Sequence, residues 1–290
     1  MADPVILTGA TGFVGRAVLA ELVAQGIPVH AVSRHGGGQD GVIWHRADLL
    51  TPEGRAAVAG LAPRLIHCAW EVEHGSFWTS PANTLWQAAS VDLAQRFRDA
   101  GGQRLLALGT CAEYDANAPG PWNESRPIAP ATPYGQAKAA LHRQLSDICG
   151  DDLIWARLFH LYGPGEDRRR LIPSLIDRLI IGQMAEVRAA GLVRDYASTA
   201  HFARCLVALL QAGASGAYDI GAGTPRHLGD LARVIARSLG GADRLVLGNV
   251  PGPNDPAVMA PDLGKLWAAT GLAPEDTDTA LHQFARSATG

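Results

Sequence analysis

The chain has 290 residues, 47% of them hydrophobic, which is enough for one large domain or a domain carrying a smaller lobe around a sizeable core. A formal charge of −3 and an isoelectric point near 6.4 leave no basic footprint and argue against nucleic acid as a partner. The four cysteines, Cys68, Cys111, Cys149 and Cys205, lack CxxC spacing, no apolar run reaches the length of a membrane span, and no signal peptide precedes the first strand, so a cytoplasmic protein with reduced thiols and no membrane contact is expected.

Pro4 to Leu7 is a short apolar run suited to a strand buried on both faces, and a helix begins at Phe13. Between them Gly9, Gly12 and Gly15 punctuate Thr-Gly-Ala-Thr-Gly-Phe-Val-Gly. Glycines at such a strand-to-helix turn permit a tight bend, close approach of backbone to a pyrophosphate, and close packing of helix on strand. Phosphates would face the positive end of the helix. The cofactor-binding candidates are accordingly Gly9, Thr11, Gly12, Phe13, Val14 and Gly15. Ala17, Leu19, Leu22 and Val23 stripe the helix, which ends at Gly26, and Pro28 to Ser33 reads as the next strand. This alternation predicts a doubly wound parallel sheet.

At the end of that second strand stands Ser33-Arg34-His35, where NAD sites commonly carry an acidic residue for the ribose 2′-hydroxyl. A carboxylate would repel a 2′-phosphate and Arg34 can pair with one, so NADP(H) is the expected cofactor. Val42 to Arg46 is the third strand, with Asp48-Leu49 after it, and Arg64 to Ala69 the fourth. His67, Glu71, Glu73 and His74 could be imagined around a metal, but at a strand end and its following loop they need not converge, and no metal site is expected. Trp70, Phe77, Trp78 and Trp86 surround a loop before a helix from about Ala82 to Gly101; they are either satellite core or the wall of a pocket.

Leu105 to Leu108 is the next buried strand, leading into Gly109-Thr110-Cys111-Ala112-Glu113-Tyr114, and a proline-rich loop then runs to a helix starting around Tyr134. Tyr134 and Lys138, spaced i and i+4, share one helix face. A free phenol titrates near pH 10, too high for work at neutral pH, and an adjacent ammonium together with an oxidised nicotinamide is expected to lower it. The pair suits proton transfer to a carbonyl oxygen, and the Thr110 hydroxyl can donate to the charge growing there.

The glycine turn, Thr110, Tyr134 and Lys138 together resemble the extended short-chain dehydrogenase/reductase family, in particular its sugar-nucleotide epimerases, dehydratases and reductases. The resemblance runs through Ile66-His67-Cys68-Ala69, Arg157-Leu158-Phe159-His160-Leu161-Tyr162-Gly163-Pro164, Val193-Arg194-Asp195-Tyr196, Tyr218-Asp219-Ile220-Gly221 and Ala260-Pro261-Asp262-Leu263. It implies a Rossmann-type α/β fold with a smaller C-terminal substrate-binding lobe. The cofactor domain would be residues 1–164 with 196–221 returning to it, and the lobe 165–195 and 222–290. It further implies Thr110, Tyr134 and Lys138 as catalytic residues, Asp48, Leu49, Cys68 and Ala69 at the cofactor beside Ser33 and Arg34, His160 and Arg194 at the substrate, and a homodimer through helices 82–100 and 133–149.

Departures from the family pattern narrow the reaction. Cys111 and Ala112 replace the Asp-Glu pair of the dehydratases, and Ala112 stands where epimerising reductases carry a cysteine. Ser90 replaces a helix asparagine, and Gly252 falls near an expected phosphate-binding arginine, for which Arg168-Arg169-Arg170 could substitute. The reading is NADPH-dependent reduction of a 4-keto-6-deoxy sugar on a nucleotide diphosphate. A ketoreductase of a non-nucleotide natural product, a sugar-nucleotide epimerase and a non-catalytic NADP(H)-binding regulator are the alternatives.

Overall fold

The computed structural model describes residues 3–252 and 255–289; residues 1, 2, 253, 254 and 290 of the expected domain ranges lie outside the described residues. Six strands come first: β1 (Val5–Thr8), β2 (Val29–Ser33), β3 (Val42–Arg46), β4 (Arg64–His67), β5 (Arg104–Thr110) and β6 (Leu153–Leu158). Four short ones follow, β7 (His160–Tyr162), β8 (Ala185–Val187), β9 (Val193–Arg194) and β10 (Tyr196–Ser198), before the chain returns to the large sheet as β11 (Gly216–Ile220). That sheet has seven strands in the order β11-β6-β5-β4-β1-β2-β3, and every pair is parallel. The strand order reverses at β1, so a crevice opens beyond the C-terminal ends of β1 and β4, the place where open α/β sheets bind ligands.

Parallel strands need cover on both faces. Val5 and Leu7 of β1 face α1 (Phe13–Ala24) and α6 (Thr199–Gln211) in one fully buried cluster. Ile6 faces the other way, into a cluster with Leu93 and Phe97 of α3 (Ala82–Asp99) and Leu141 and Leu145 of α4 (Pro133–Cys149). The result is a three-layer Rossmann-type α/β fold. α2 (Pro52–Val58) follows β3, capped by the Thr51 hydroxyl on Gly54 N.

A third apolar cluster makes a smaller C-terminal lobe. It joins α5 (Leu171–Ile180) to α7 (Leu228–Ser238) and α9 (Thr277–Ser287), with Leu231 and Ile235 one turn apart on the buried face of α7. Around it, β12 (Arg226–His227) and β14 (Val258–Met259) flank β9, and β13 (Leu245–Leu247) pairs with β8; α8 (Gly264–Thr270) packs on α6.

Several strand ends differ from the sequence reading by one residue and two by two residues, and those two matter for the site. β4 stops at His67, two residues early, because the chain leaves β1 at Gly9 and its partner must turn with it; Cys68 N still donates to Thr8 O at 3.3 Å. β5 runs two residues further, to Thr110, because β6 continues beside it and pairs Thr110 with Leu158.

Candidate active site

Gly9 has φ +67°, and a Cβ there would stand 2.8 Å from the Ala69 amide nitrogen; a Cβ on Gly15 would stand 2.0 Å from the Gly9 carbonyl oxygen. Gly12 N donates to that same oxygen at 2.8 Å and closes the turn. Gly12 is also the N-cap of α1, with no side-chain cap and no acidic residue in the first turn. The orphan N–H groups of α1 thus open toward the crevice, a cradle that any side chain would fill and that suits a pyrophosphate.

The crevice brings together Gly9, Thr11, Gly12, Ser33, Arg34, Leu49 and Ala69, along with Trp70 and Trp86. Other predicted cofactor residues sit apart from that lining. Gly15 is buried beneath the turn, and Phe13, Val14 and Cys68 pack against the core. The Cys68 thiol is pushed up to about 12 by burial. Asp48 spends its carboxylate on its own turn, accepting from Leu50 N at 3.0 Å, and Ser33 spends its hydroxyl on Gly36 O at 2.8 Å. Arg34 is exposed, with no carboxylate in ion-pair range among the described residues. Arg46 pairs opposite Ser33 in the sheet and donates from Nε to Arg34 O at 3.2 Å, placing a second guanidinium that sequence reasoning missed.

Thr110 ends β5 and caps a 3₁₀ turn, Cys111–Glu113: its Oγ1 accepts from Ala112 N at 3.2 Å while Glu113 accepts from Thr110 N at 2.8 Å. Thr132 caps α4 through Gly135 N at 3.2 Å, with Pro133 in the first turn, so Tyr134 lies one residue inside the helix. Gly135 matters for the approach of these two turns, because a Cβ there would lie 2.4 Å from the Ala112 carbonyl oxygen. Tyr134 and Lys138 are both buried. Lys138 Nζ donates to Leu108 O at 2.9 Å and lies 3.7 Å above the Trp70 ring.

The electrostatics differ from the sequence reading. Burial drives the Tyr134 phenol above its ordinary value, opposed by a hydrogen bond from Thr110. Burial also brings Lys138 down to about 7, against the pull of Glu113. The protein's own groups therefore hold the phenol protonated, whereas the expectation of an acidified phenol counts an oxidised nicotinamide as well as the ammonium. Phe77, Trp78 and Trp70 meet its ring edge-on, with centroids at 5.0, 5.7 and 6.5 Å; of the aromatic cluster, Trp70 and Trp86 line the crevice and also pack on the core beneath it. Asn83 ties the cluster together, taking the Trp70 indole N–H at 3.0 Å and donating to Phe77 O at 2.7 Å.

His67 has both nitrogens engaged, Nδ1 with Thr8 at 2.7 Å and Nε2 with Ser90 at 2.8 Å. Ser90 donates onward to Trp86 O, so Nε2 carries the proton, and burial lowers His67 to about 3. Among the described residues no three His, Cys, Asp or Glu side chains converge as metal ligands.

On the lobe side, His160 stacks on Tyr196 with centroids at 5.0 Å, and its Nε2 is buried without a partner among the described residues. Burial, reinforced by Arg194 and Arg170, takes its pKa to about 3. Arg194 is buried and donates from Nη1 to Val193 O and Pro256 O at 2.8 and 2.9 Å. In the basic run, Arg168 and Arg169 pair outward with Asp177 and Asp167, while Arg170 pairs with buried Glu166 at 3.1 Å and acts electrostatically on Tyr134, His160 and Tyr196. Sequence reasoning did not separate Arg170 from its neighbours. It also passed over Glu113, although Thr110-x-x-Glu113 is a capping-box pattern.

A parallel sheet with a glycine turn at its switch point defines a Rossmann-type protein. The model of the NAD dependent epimerase/dehydratase family matches residues 5–221, and the chain belongs to that family of enzymes. It is 30% identical to the dTDP-4-keto-6-deoxy-D-glucose reductase of Streptomyces niveus over 83% of this chain and 80% of that one. It is 26% identical to the dTDP-glucose 4,6-dehydratase of Streptomyces griseus, again over 83% of this chain and 80% of the other. Its fold superposes on the UDP-N-acetylglucosamine 4-epimerase of Methanobrevibacter ruminantium M1, solved with UDP-N-acetylmuramic acid, with a TM-score of 0.87 at 18% identity over 98% of this chain and 97% of that one.

Proposed function

We propose that the protein is an NADPH-dependent ketoreductase acting on a 4-keto-6-deoxy sugar carried by a nucleotide diphosphate. The observation that carries this reading is the proton inventory around Tyr134. The phenol is buried and held protonated, the state needed to donate to a carbonyl oxygen. Cys111, at the position where dehydratases carry an acid, is kept a thiol by burial at about 12. His160 is too weak a base to be charged at neutral pH. One proton donor without a companion base fits reduction and does not fit elimination or epimerisation at the carbons beside the ketone; against epimerisation at the carbinol carbon itself, which recycles a retained NAD, the support is Arg34.

When bound, the cofactor supplies a hydride to the carbonyl carbon. The glycine turn and the α1 N-terminus would hold its pyrophosphate, Arg34 and Arg46 its 2′-phosphate, and Lys138 its nicotinamide ribose. Tyr134 hands its proton to the carbonyl oxygen as negative charge builds there. Thr110, whose Oγ1 already accepts from Ala112 N and whose hydroxyl is directed at the phenol, turns its proton to steady the same oxygen. In this reading residues 1–164 and 196–221 hold the cofactor, and residues 165–195 and 222–290 hold the substrate with His160, Arg194 and Arg170. The reductase from Streptomyces niveus supports the substrate class. Pairing of α3 and α4 between two copies would make a homodimer, working in the cytoplasm where the four free thiols stay reduced.

One observation favours a second reading. The Arg194 guanidinium already serves two backbone carbonyls, leaving less of it for a diphosphate and more room for a non-nucleotide ketone. The test is turnover of dTDP-4-keto-6-deoxyglucose with NADPH in heavy water. NADPH should be consumed and the product should carry no enzyme-dependent deuterium at C3 or C5. Deuterium there would replace the reading with an epimerising enzyme, and consumption with simple ketones alone would establish the non-nucleotide alternative.

A further inference from the structure

Beneath the site lies a buried charge network that the proposed reaction does not use. Glu113 is fully buried and has three hydrogen-bond donors around it, making four contacts: Thr110 N at 2.8 Å, the Arg157 Nε at 2.8 Å, and the Trp155 indole N–H shared at 3.1 Å between both carboxylate oxygens. Its room comes from Gly109, where a Cβ would lie 2.5 Å from the Glu113 carboxylate. Arg157 continues to the Tyr114 hydroxyl at 3.2 Å, which donates to Asp219 at 2.8 Å, and touches His142 of α4 at 3.3 Å. One guanidinium thus serves two fully buried carboxylates, Glu113 and Asp219. Burial raises the Glu113 carboxyl above the usual carboxylate range, and the direct Arg157 ion pair with the bonds from Thr110 N and Trp155 pulls it back; Asp219, which Arg157 reaches only through Tyr114, is brought by burial up to about 7, so of the two Glu113 is the better placed to carry the charge.

We propose that Glu113 is a positioning residue of this site: it fixes the Thr110 hydroxyl through the capping box, and its buried negative charge keeps Lys138 an ammonium. The placement follows from packing. The 3₁₀ turn that carries Glu113 presses its Ala112 carbonyl onto Gly135, between Tyr134 and Lys138, and Lys138 itself is anchored on Leu108 of the same strand that ends at Thr110. Facing Lys138 are Glu113 from that turn, His67 and Cys68 from the end of β4, the Trp70 ring from the loop, and the Leu108 carbonyl from β5. His67 is neutral with its pKa near 3, and Cys68 is held as a thiol, so Glu113 is the anion among them. A buried lysine near its midpoint at neutral pH is sensitive to the loss of one such charge.

The inference rests on the reading of Thr110, Tyr134 and Lys138 as the reacting set, but it can be tested without substrate. Lys138 and Lys265 are the two lysines of the sequence, so lysine labelled with ¹³C at Cε yields two signals, separated by the Lys265→Arg variant. Glu113→Gln should move the Lys138 titration to lower pH by about one unit or more. Glu113→Asp keeps the charge but shortens the reach to Thr110 N, so it should leave that titration in place while lowering kcat at least tenfold with cofactor affinity unchanged. If Glu113→Gln does not fold, Glu113→Gln with Arg157→Met removes the pair together and should shift Lys138 in the same direction. An unmoved Lys138 titration in the folded charge-loss variants, or full activity in Glu113→Asp, overturns the proposal. A shifted titration in an enzyme that reduces no ketone would leave it standing and refute the proposed reaction instead.

Discussion

Substituting the glycines of the first turn by alanine sets two effects against each other. Gly15 lies inside α1, where alanine is the better helix former by roughly 1 kcal/mol, so propensity alone predicts a more stable protein. The added Cβ would fall 2.0 Å from the Gly9 carbonyl oxygen, a backbone atom held by Gly12 N, and α1 must shift by more than an ångström to clear it. Overpacking against fixed atoms typically costs about 1–3 kcal/mol, and more where backbone has to move, so the sign reverses and Gly15→Ala should lose stability. Gly9→Ala adds a left-handed φ, about 1–2 kcal/mol, to a clash of the same order with Ala69 N, for a loss of roughly 2–5 kcal/mol. At Gly12 the obstruction is milder, 3.1 Å from the same oxygen, and Gly12→Ala should stay within about 1 kcal/mol while its methyl group intrudes on the phosphate groove. Urea unfolding of the three variants, read as midpoints at constant slope, measures the order, and dinucleotide titration measures the binding. A Gly15→Ala protein as stable as the parent, or a Gly12→Ala protein with unchanged dinucleotide affinity, would refute the argument that these glycines exist for close approach.

Other expectations follow from the site. Arg34→Ala should weaken NADPH by about 1.5–3 kcal/mol and barely affect NADH in fluorescence titrations, with Arg46→Ala acting the same way but less; equal affinity of the parent for both cofactors would contradict this. Tyr134→Phe should lower kcat by roughly 100- to 10,000-fold without changing cofactor affinity, since it removes only the proton donor, and a loss under tenfold would take Tyr134 out of that role. Asp219 has a folded pKa raised to about 7, above its unfolded value near 4, so its stabilising contribution is complete below pH 4 and is lost as pH rises to 7. The stability difference between the parent and Asp219→Asn should therefore change across that window, by at most about 1.4 kcal/mol per pH unit, and thermal melts of both at a series of pH values measure it. A difference independent of pH would show Asp219 to be ionised throughout.

Much of this protein is written in local spacing. A buried four-residue strand, three glycines and an amphipathic helix identify a dinucleotide turn because the geometry they need spans only a dozen consecutive residues. Tyr134 and Lys138 share a helix face for the same reason, and Thr132-Pro133 marks where that helix begins. The capping box of Thr110 and Glu113 was equally legible as a pattern. What lay beyond reach depends on chain segments that meet only on folding. Nothing near Lys138 in sequence reveals that it reaches Leu108 and lies over Trp70, or that burial is the largest influence on the Tyr134 phenol. Three consecutive arginines look alike until Asp177 and Asp167 claim two of them and leave Arg170 on the site. Asp48 and Ser33 match their motif positions, yet each side chain closes its own turn. Sequence determined which elements form and in what order, because backbone preference and periodicity are local. Tertiary structure decided which charges are desolvated and which are paired, because both depend on atoms brought from distant strands, and those two quantities set the chemistry of the site.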